Sequence, residues 1–272
     1  MIEVTGLYIY PIKSLQGVEV SEAEVLERGF KHDRRWMIVD ENNKFITQRT
    51  HPHLSQIEIK VSENKIIASY PGHMDLQVPL SIESGERVEV SVWEHQVEAL
   101  EANGEQNKWI SKVAGTPCKL VFMPESASRP ISPERARNNE NVSFADGYPY
   151  LIISEASLED LNTRMDVALP MHRFRPNIVV SGTEPYAEDS WRDFSIGNVN
   201  FYGTHGCKRC VFTTIDQETG KKGTEPLKTL ATYRREGKDV VFGLNTMAES
   251  RGVVRVGDQV FLSNIHPSRA SG

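Results

Sequence analysis

Two of the three cysteines in this 272-residue chain lie in the heptapeptide THGCKRC at residues 204–210, with a histidine, two cations and the β-branched run VFTTI at 211–215 close by. A thiol at the edge of a regular segment is held in place, and Lys208 and Arg209 beside it favour thiolate over thiol. Cys210 is therefore read as a metal-binding thiolate, with 211–215 as the strand that fixes it. Cys207 and Cys210 also spell C-x-x-C. A closed zinc site takes four ligands, however, and Cys118 stands alone, so His205 would bring the set only to three. A redox C-x-x-C opens a helix in a βαβ setting, whereas a β-branched run follows here. On these residues alone, plain apolar packing of the two cysteines competes evenly with chemistry.

Whatever positions Cys210 must come from the rest of the chain. With 39% hydrophobic and 25% charged residues, the composition is globular and long enough for one large or two moderate domains with real cores. The formal charge of −6 comes from interspersed acids, so there is no broad basic field for nucleic acid and any anion must be bound locally. No apolar run approaches membrane-spanning length, and MIEVT at the start lacks the regions of a secretion signal. With few cysteines, the expectation is a reducing cytoplasm and no membrane.

The first half reads as short strands: 3–10 ending at Pro11, 35–40 and 44–48 as a hairpin, 57–61 and 65–69 as another, then 87–92 and 96–100. So many strands with tight turns predict a barrel or sandwich. At 106–114 the spacing of Trp109, Ile110 and Val113 predicts a helix, and 119–123 is a strand. The polar stretch 124–141 is read as the connection between two lobes, giving domains at 1–123 and 124–272. In the second, Ser154 is placed to cap a helix bearing Leu158, Leu161 and Met165 on one face. Strands are expected at 177–181, 194–196 and 199–204, a helix at 227–235, and a closing hairpin of 253–256 with 259–262 around Gly257 and Asp258. The fold class is mainly β with a few helices (α+β).

Several motifs carry a resemblance: YPIKS at 10–14, DRRW at 33–36, SFADGYPY running into LIISEAS at 143–157, FRPNI at 174–178, YAEDSW at 186–191, RCVFTTIDQETG at 209–220 and VGD at 256–258. In this order, over nearly the whole chain, they resemble the MOSC family, the molybdenum cofactor sulfurase C-terminal domain proteins. The branch they resemble more closely holds the mitochondrial amidoxime-reducing component and its bacterial relatives. The resemblance implies an N-terminal β-barrel or sandwich-like lobe packed on a C-terminal MOSC β-barrel. It also implies molybdenum cofactor, with Cys210 ligating molybdenum and Lys13, Ser14, Arg34, Arg175 and Asn177 as cofactor contacts. That cofactor brings a dithiolene and a dianionic phosphate, so a soft ligand, cations and hydrogen-bond donors are what it needs.

Each residue also has a plain alternative. Lys13 and Ser14 could lie on a solvated loop, Asp33 and Arg34 could be a surface ion pair, and Arg175 to Asn177 a capped turn. Arg49, Ser154 with Glu155, Thr213 and Asn245 are weaker candidates. His205 and Cys207 depart from the family pattern and are not read as catalytic.

The implied activity is that of an oxidoreductase removing oxygen from N-hydroxylated compounds such as hydroxylamines, amidoximes and hydroxylated purine-like bases, a detoxifying chemistry in which the cofactor does the redox work. A sulfur or molybdenum-cofactor carrier without turnover is one alternative. A structural zinc module on Cys207, Cys210 and His205 is the other. A common two-iron cluster takes four cysteines, more than this chain has, and none follows Cys210; only 263–272 follow the closing strand, and no G-x-G-x-x-G fingerprint is visible. A separate reductase or iron–sulfur carrier is therefore the expected partner.

Overall fold

The computed structural model describes residues 1–265, and the rest of the tail lies outside the described residues. The structure is mostly β. Its largest sheet runs in the order Val260–Ile265, Trp191–Ile196, Val199–Lys208, Asp239–Ala248, Tyr150–Ser154, Ile178–Ser181, Glu3–Ile9, Val18–Val20. The one parallel pairing in it joins Tyr150–Ser154 to Ile178–Ser181. A parallel pair needs a crossover, and helix Glu155–Thr163 supplies it, capped as expected by Ser154, whose Oγ accepts from Ser157 N at 3.1 Å.

The first half builds two smaller sheets. Trp36–Asp40, Cys118–Phe122, His95–Glu101 and Arg87–Val92 form one, and Glu58–Val61, Lys65–Ser69 and Leu76–Pro79 the other. Helix Gly104–Ala114 is fixed at its start by an Asn103/Gln106 capping box and stopped by left-handed Gly115, the usual end signals. It buries Ile110 and Val113 in the core that contains Leu54, Ile66 and Val78.

Residues 3–30 do not close within the first half. Glu3–Ile9 pairs with Ile178–Ser181, and Glu22–Leu26 pairs with Gly252–Arg255. Val4, Leu7, Val25 and Phe30 share a core with Tyr150, Ile178 and Phe201. A boundary at 123/124 leaves the core around Leu54 in the first half and the one around Leu151 in the second, but the core that joins Val4 to Phe201 crosses it. The stretch 124–141 folds back on itself, with Ile131 N bonded to Glu140 O at 2.9 Å.

Three local expectations are corrected. The arms around Gly257 and Asp258 are strands but not a hairpin: Gly252–Arg255 pairs with Glu22–Leu26, and Val260–Ile265 with Trp191–Ile196. Asp258 Oδ2 accepts from Arg255 N at 2.8 Å, so the turn redirects the chain between two sheets. The helix expected at 227–235 stops at Leu227–Leu230, because Arg235–Glu236 is taken into a hairpin with Asp239–Ala248. Finally, 44–48 returns beside Trp36–Asp40 through a single bridge, Val39 to Phe45. Beyond it, Gln48 turns inward to donate to Ser14 O at 2.7 Å.

Candidate active site

Strand Val199–Lys208 delivers Cys210 to the cleft. Within it a Cβ on Gly203 would lie 2.2 Å from Trp191 O, so only glycine admits the neighbouring strand this closely. The segment directly after Cys210 is not a strand. Residues Val211–Thr214 form a 3₁₀ turn, in which Thr213 Oγ1 donates to Cys210 O at 3.0 Å and Thr214 Oγ1 to Val211 O at 2.8 Å. Hydroxyls bonding backward offer the backbone an alternative to a ladder, and here that outweighs the β-branched preference. Cys210 itself is exposed.

The cations beside it in sequence are not the ones beside it in space. Lys208 pairs with Asp239 at 2.7 Å. Arg209 donates to the carbonyls of Phe242 and Phe174 at 2.8 and 2.9 Å, where it braces the backbone. The cation facing Cys210 is Arg49 of the first half, with Nη1 3.9 Å from Sγ.

Lys13, Ser14, Arg34, Arg175, Asn177 and Cys210 all line one cleft, together with Thr213 and Asn245. Lys13 is buried and donates to Phe144 O at 2.7 Å and to Asp146 at 2.5 Å. Burial pushes its ammonium down to about 8, against the pull of Asp146. Arg34 and Arg175 hold their guanidiniums 4.4 and 4.1 Å from the Tyr10 ring, a double cation–π contact. Arg34 donates to Asp33 Oδ2 at 2.6 Å and to Asn177 Oδ1 at 3.0 Å. Arg175 donates to Leu15 O at 2.6 Å, and burial lowers its pKa to about 10. Ser14, Arg34 and Arg175 all have positive φ, at 69°, 49° and 55°. Left-handed backbone on non-glycine residues is uncommon and gathers at functional sites. Three of the sequence-derived site residues share it.

Of the other candidates, Cys207 still lines this cleft, while Ser154, Glu155 and His205 separate from it. Ser154 is a buried helix cap, and Glu155 lines a different pocket with Tyr8 and Met171. Cys207 packs against the apolar cluster of Leu151, Phe174 and Phe242, and burial raises its pKa. His205 stacks edge-on against Tyr148 at 4.9 Å, and burial, aided by Arg135 and Lys208, lowers it to about 4. Among the described residues no three His, Cys, Asp or Glu side chains gather as a metal site would need, so His205, Cys207 and Cys210 do not make the zinc arrangement.

Comparison with known proteins gives these residues a context. Residues 1–117 match the MOSC N-terminal beta barrel domain and residues 139–261 the MOSC domain. The mitochondrial amidoxime-reducing component 1 of Mus musculus is 35% identical over 95% of this chain and 82% of its own length, and that of Homo sapiens 34% over the same shares. The chain belongs to the MOSC family. Another relative, the molybdenum cofactor sulfurase of Solanum lycopersicum, is 33% identical over 94% of this chain, which spans 35% of that longer protein.

Sequence reasoning missed several residues that shape this MOSC-family cleft. Buried Arg129 donates to the carbonyls of Ser143, Ala145 and Asp146 at 2.7, 2.5 and 3.0 Å, which shapes the wall that carries Asp146. Nothing in the polar stretch around Arg129 marks it out. Gln48 and Gln217 exchange amide hydrogen bonds at 3.1 and 3.0 Å, tying the two halves together beside Ser14. Asp146 and Tyr10 lie inside quoted motifs, so a charge or ring in those motifs was the available signal. The donor set fits molybdenum cofactor: one accessible thiol, buried and part-buried cations in the same cleft, and Arg209 Nη2 buried without a partner in the cleft wall.

Proposed function

We propose that this protein is a molybdenum-cofactor-dependent reductase of N-hydroxylated compounds, with Cys210 as the protein ligand to molybdenum. The observation that carries the reading is the meeting of an exposed Cys210 with Lys13, Arg34 and Arg175 in one cleft between the chain's halves. The names of the amidoxime-reducing relatives support the choice of substrate class. When bound, the cofactor would supply two-electron chemistry at molybdenum.

The chain's own work is positioning and charge. Cys210 offers one soft ligand, held by the Thr213 bond to its carbonyl. Lys13, Arg34 and Arg175 hold anionic oxygens through charge-assisted hydrogen bonds, each worth about 1.5–3 kcal/mol. Asn177 orients Arg34, while Arg49 faces the sulfur from the opposite half. Burial of the cations lowers the local dielectric, so the same charges act more strongly than in water.

The test is turnover of an amidoxime by purified protein, made in cells with an intact cofactor pathway, using reduced viologen as donor. Reduction to the amidine is expected. Bound cofactor with no turnover on any N-hydroxylated compound would favour a carrier.

A further inference from the structure

Trp93 lies against Arg49, the cation that faces Cys210, in a backbone position that disfavours it. Val92 and His95 pair across a two-residue turn, and Trp93, the first residue of that turn, has φ of 57°. Such turns take Gly, Asn or Asp at positive φ, where a bulky side chain is strained. Burial does not account for the indole, which is 49% exposed, while Trp36 and Trp191 are buried.

What the ring touches does account for it. The Arg49 guanidinium lies 4.6 Å over the indole, and the same guanidinium reaches to 3.9 Å from Cys210 Sγ. Phe45 tilts against Trp93 at 5.2 Å and lies under the Lys13 ammonium at 5.6 Å. Trp93, Phe45 and Arg49 thus make a continuous shelf that reaches the thiol and the buried lysine of the cleft. An exposed indole backed by a cation offers a π-face on which a planar ring can stack. Backbone strain held at such a place points to function.

We infer that Trp93, steadied by Arg49, is a specificity-determining residue that stacks the planar ring of an aromatic or purine-like substrate, leaving its N–O group turned toward Cys210. The inference rests on the reductase reading and names which members of that substrate class are preferred. Small alkyl compounds have no ring to place on the shelf.

The test uses the holoenzyme with benzamidoxime and acetamidoxime, as wild type, Trp93→Gly and Trp93→Phe. Glycine suits the turn, so Trp93→Gly melts no lower than wild type. The ratio of kcat/KM for benzamidoxime over acetamidoxime falls about tenfold in Trp93→Gly, the size of one stacking contact, with the loss in KM. Trp93→Phe retains the ratio. In oxidised holoenzyme without donor, benzamidoxime quenches indole fluorescence saturably, and Trp93→Gly abolishes that response. An unchanged ratio in Trp93→Gly overturns the inference. Where wild type reduces neither compound, the reductase reading fails instead, and quenching alone then decides the shelf: a saturable, Trp93-dependent response upholds it and no response overturns it.

Discussion

Arg34 Nη1 donates to Asn177 Oδ1 at 3.0 Å, between residues 143 positions apart. The other end of the same amide donates to Tyr8 O at 3.1 Å, so Asn177 joins strand Glu3–Ile9 to the cleft and aims Arg34 at once. Replacing it with Leu removes hydrogen bonds from two part-buried partners, which costs about 1–3 kcal/mol. Asn177→Leu should lower the urea midpoint without changing the m-value and also reduce cofactor content. An unchanged midpoint would show that the amide is dispensable.

Cys210 and Cys207 should behave differently, because one is exposed beside Arg49 and the other packs against an apolar cluster. Cys210→Ala should abolish reductase activity, whereas Cys207→Ala should retain most of it. Equal losses would point to paired chemistry.

Lys13 gives a pH dependence with opposite signs for folding and binding. Its folded pKa of about 8 lies below the ordinary 10.5. Between those values the unfolded chain holds a proton that the folded chain has lost, so this group's contribution to stability rises with pH across that window. An anion in the cleft loses a cation over the same range. Cofactor retention on gel filtration should therefore weaken as pH rises through 8, while the melting temperature shows no matching loss from Lys13. Lys13→Arg, charged throughout, should flatten the retention curve; a wild-type curve already flat would remove Lys13 from the anion site.

Much of this was legible in the sequence for identifiable reasons. The first helix was marked at 106–114 by the spacing of Trp109, Ile110 and Val113 and the helix after Ser154 by its cap, whereas the Asn103/Gln106 capping box that starts the first at Gly104 went unread. The motif residues Lys13, Ser14, Arg34, Arg175 and Asn177 do gather with Cys210 in one cleft. What sequence could not supply was choice of partner. Period-two patterning identified 253–256 and 259–262 as strands but could not say that they pair with different neighbours. Local β preference likewise missed the backward hydroxyl bonds of Thr213 and Thr214. The approach of Arg49 to Cys210 spans 161 positions, which no local pattern encodes.

Electrons should have to come from elsewhere. Three cysteines fall short of the four ligands of a common two-iron cluster, and no dinucleotide fingerprint is visible. The pure chain should reduce an amidoxime with reduced viologen but not with NADH or NADPH until a separate reductase or iron–sulfur carrier is added. Turnover with NADPH and this chain alone would contradict the expected partner.

The most direct test of the central claim is the molybdenum and pterin content of the chain made with an intact cofactor pathway. Near-equimolar molybdenum and pterin are predicted for wild type, with both much reduced in Arg175→Ala, which loses a part-buried cation of the cleft. Zinc in place of molybdenum, or labile sulfur with no metal, would contradict the account.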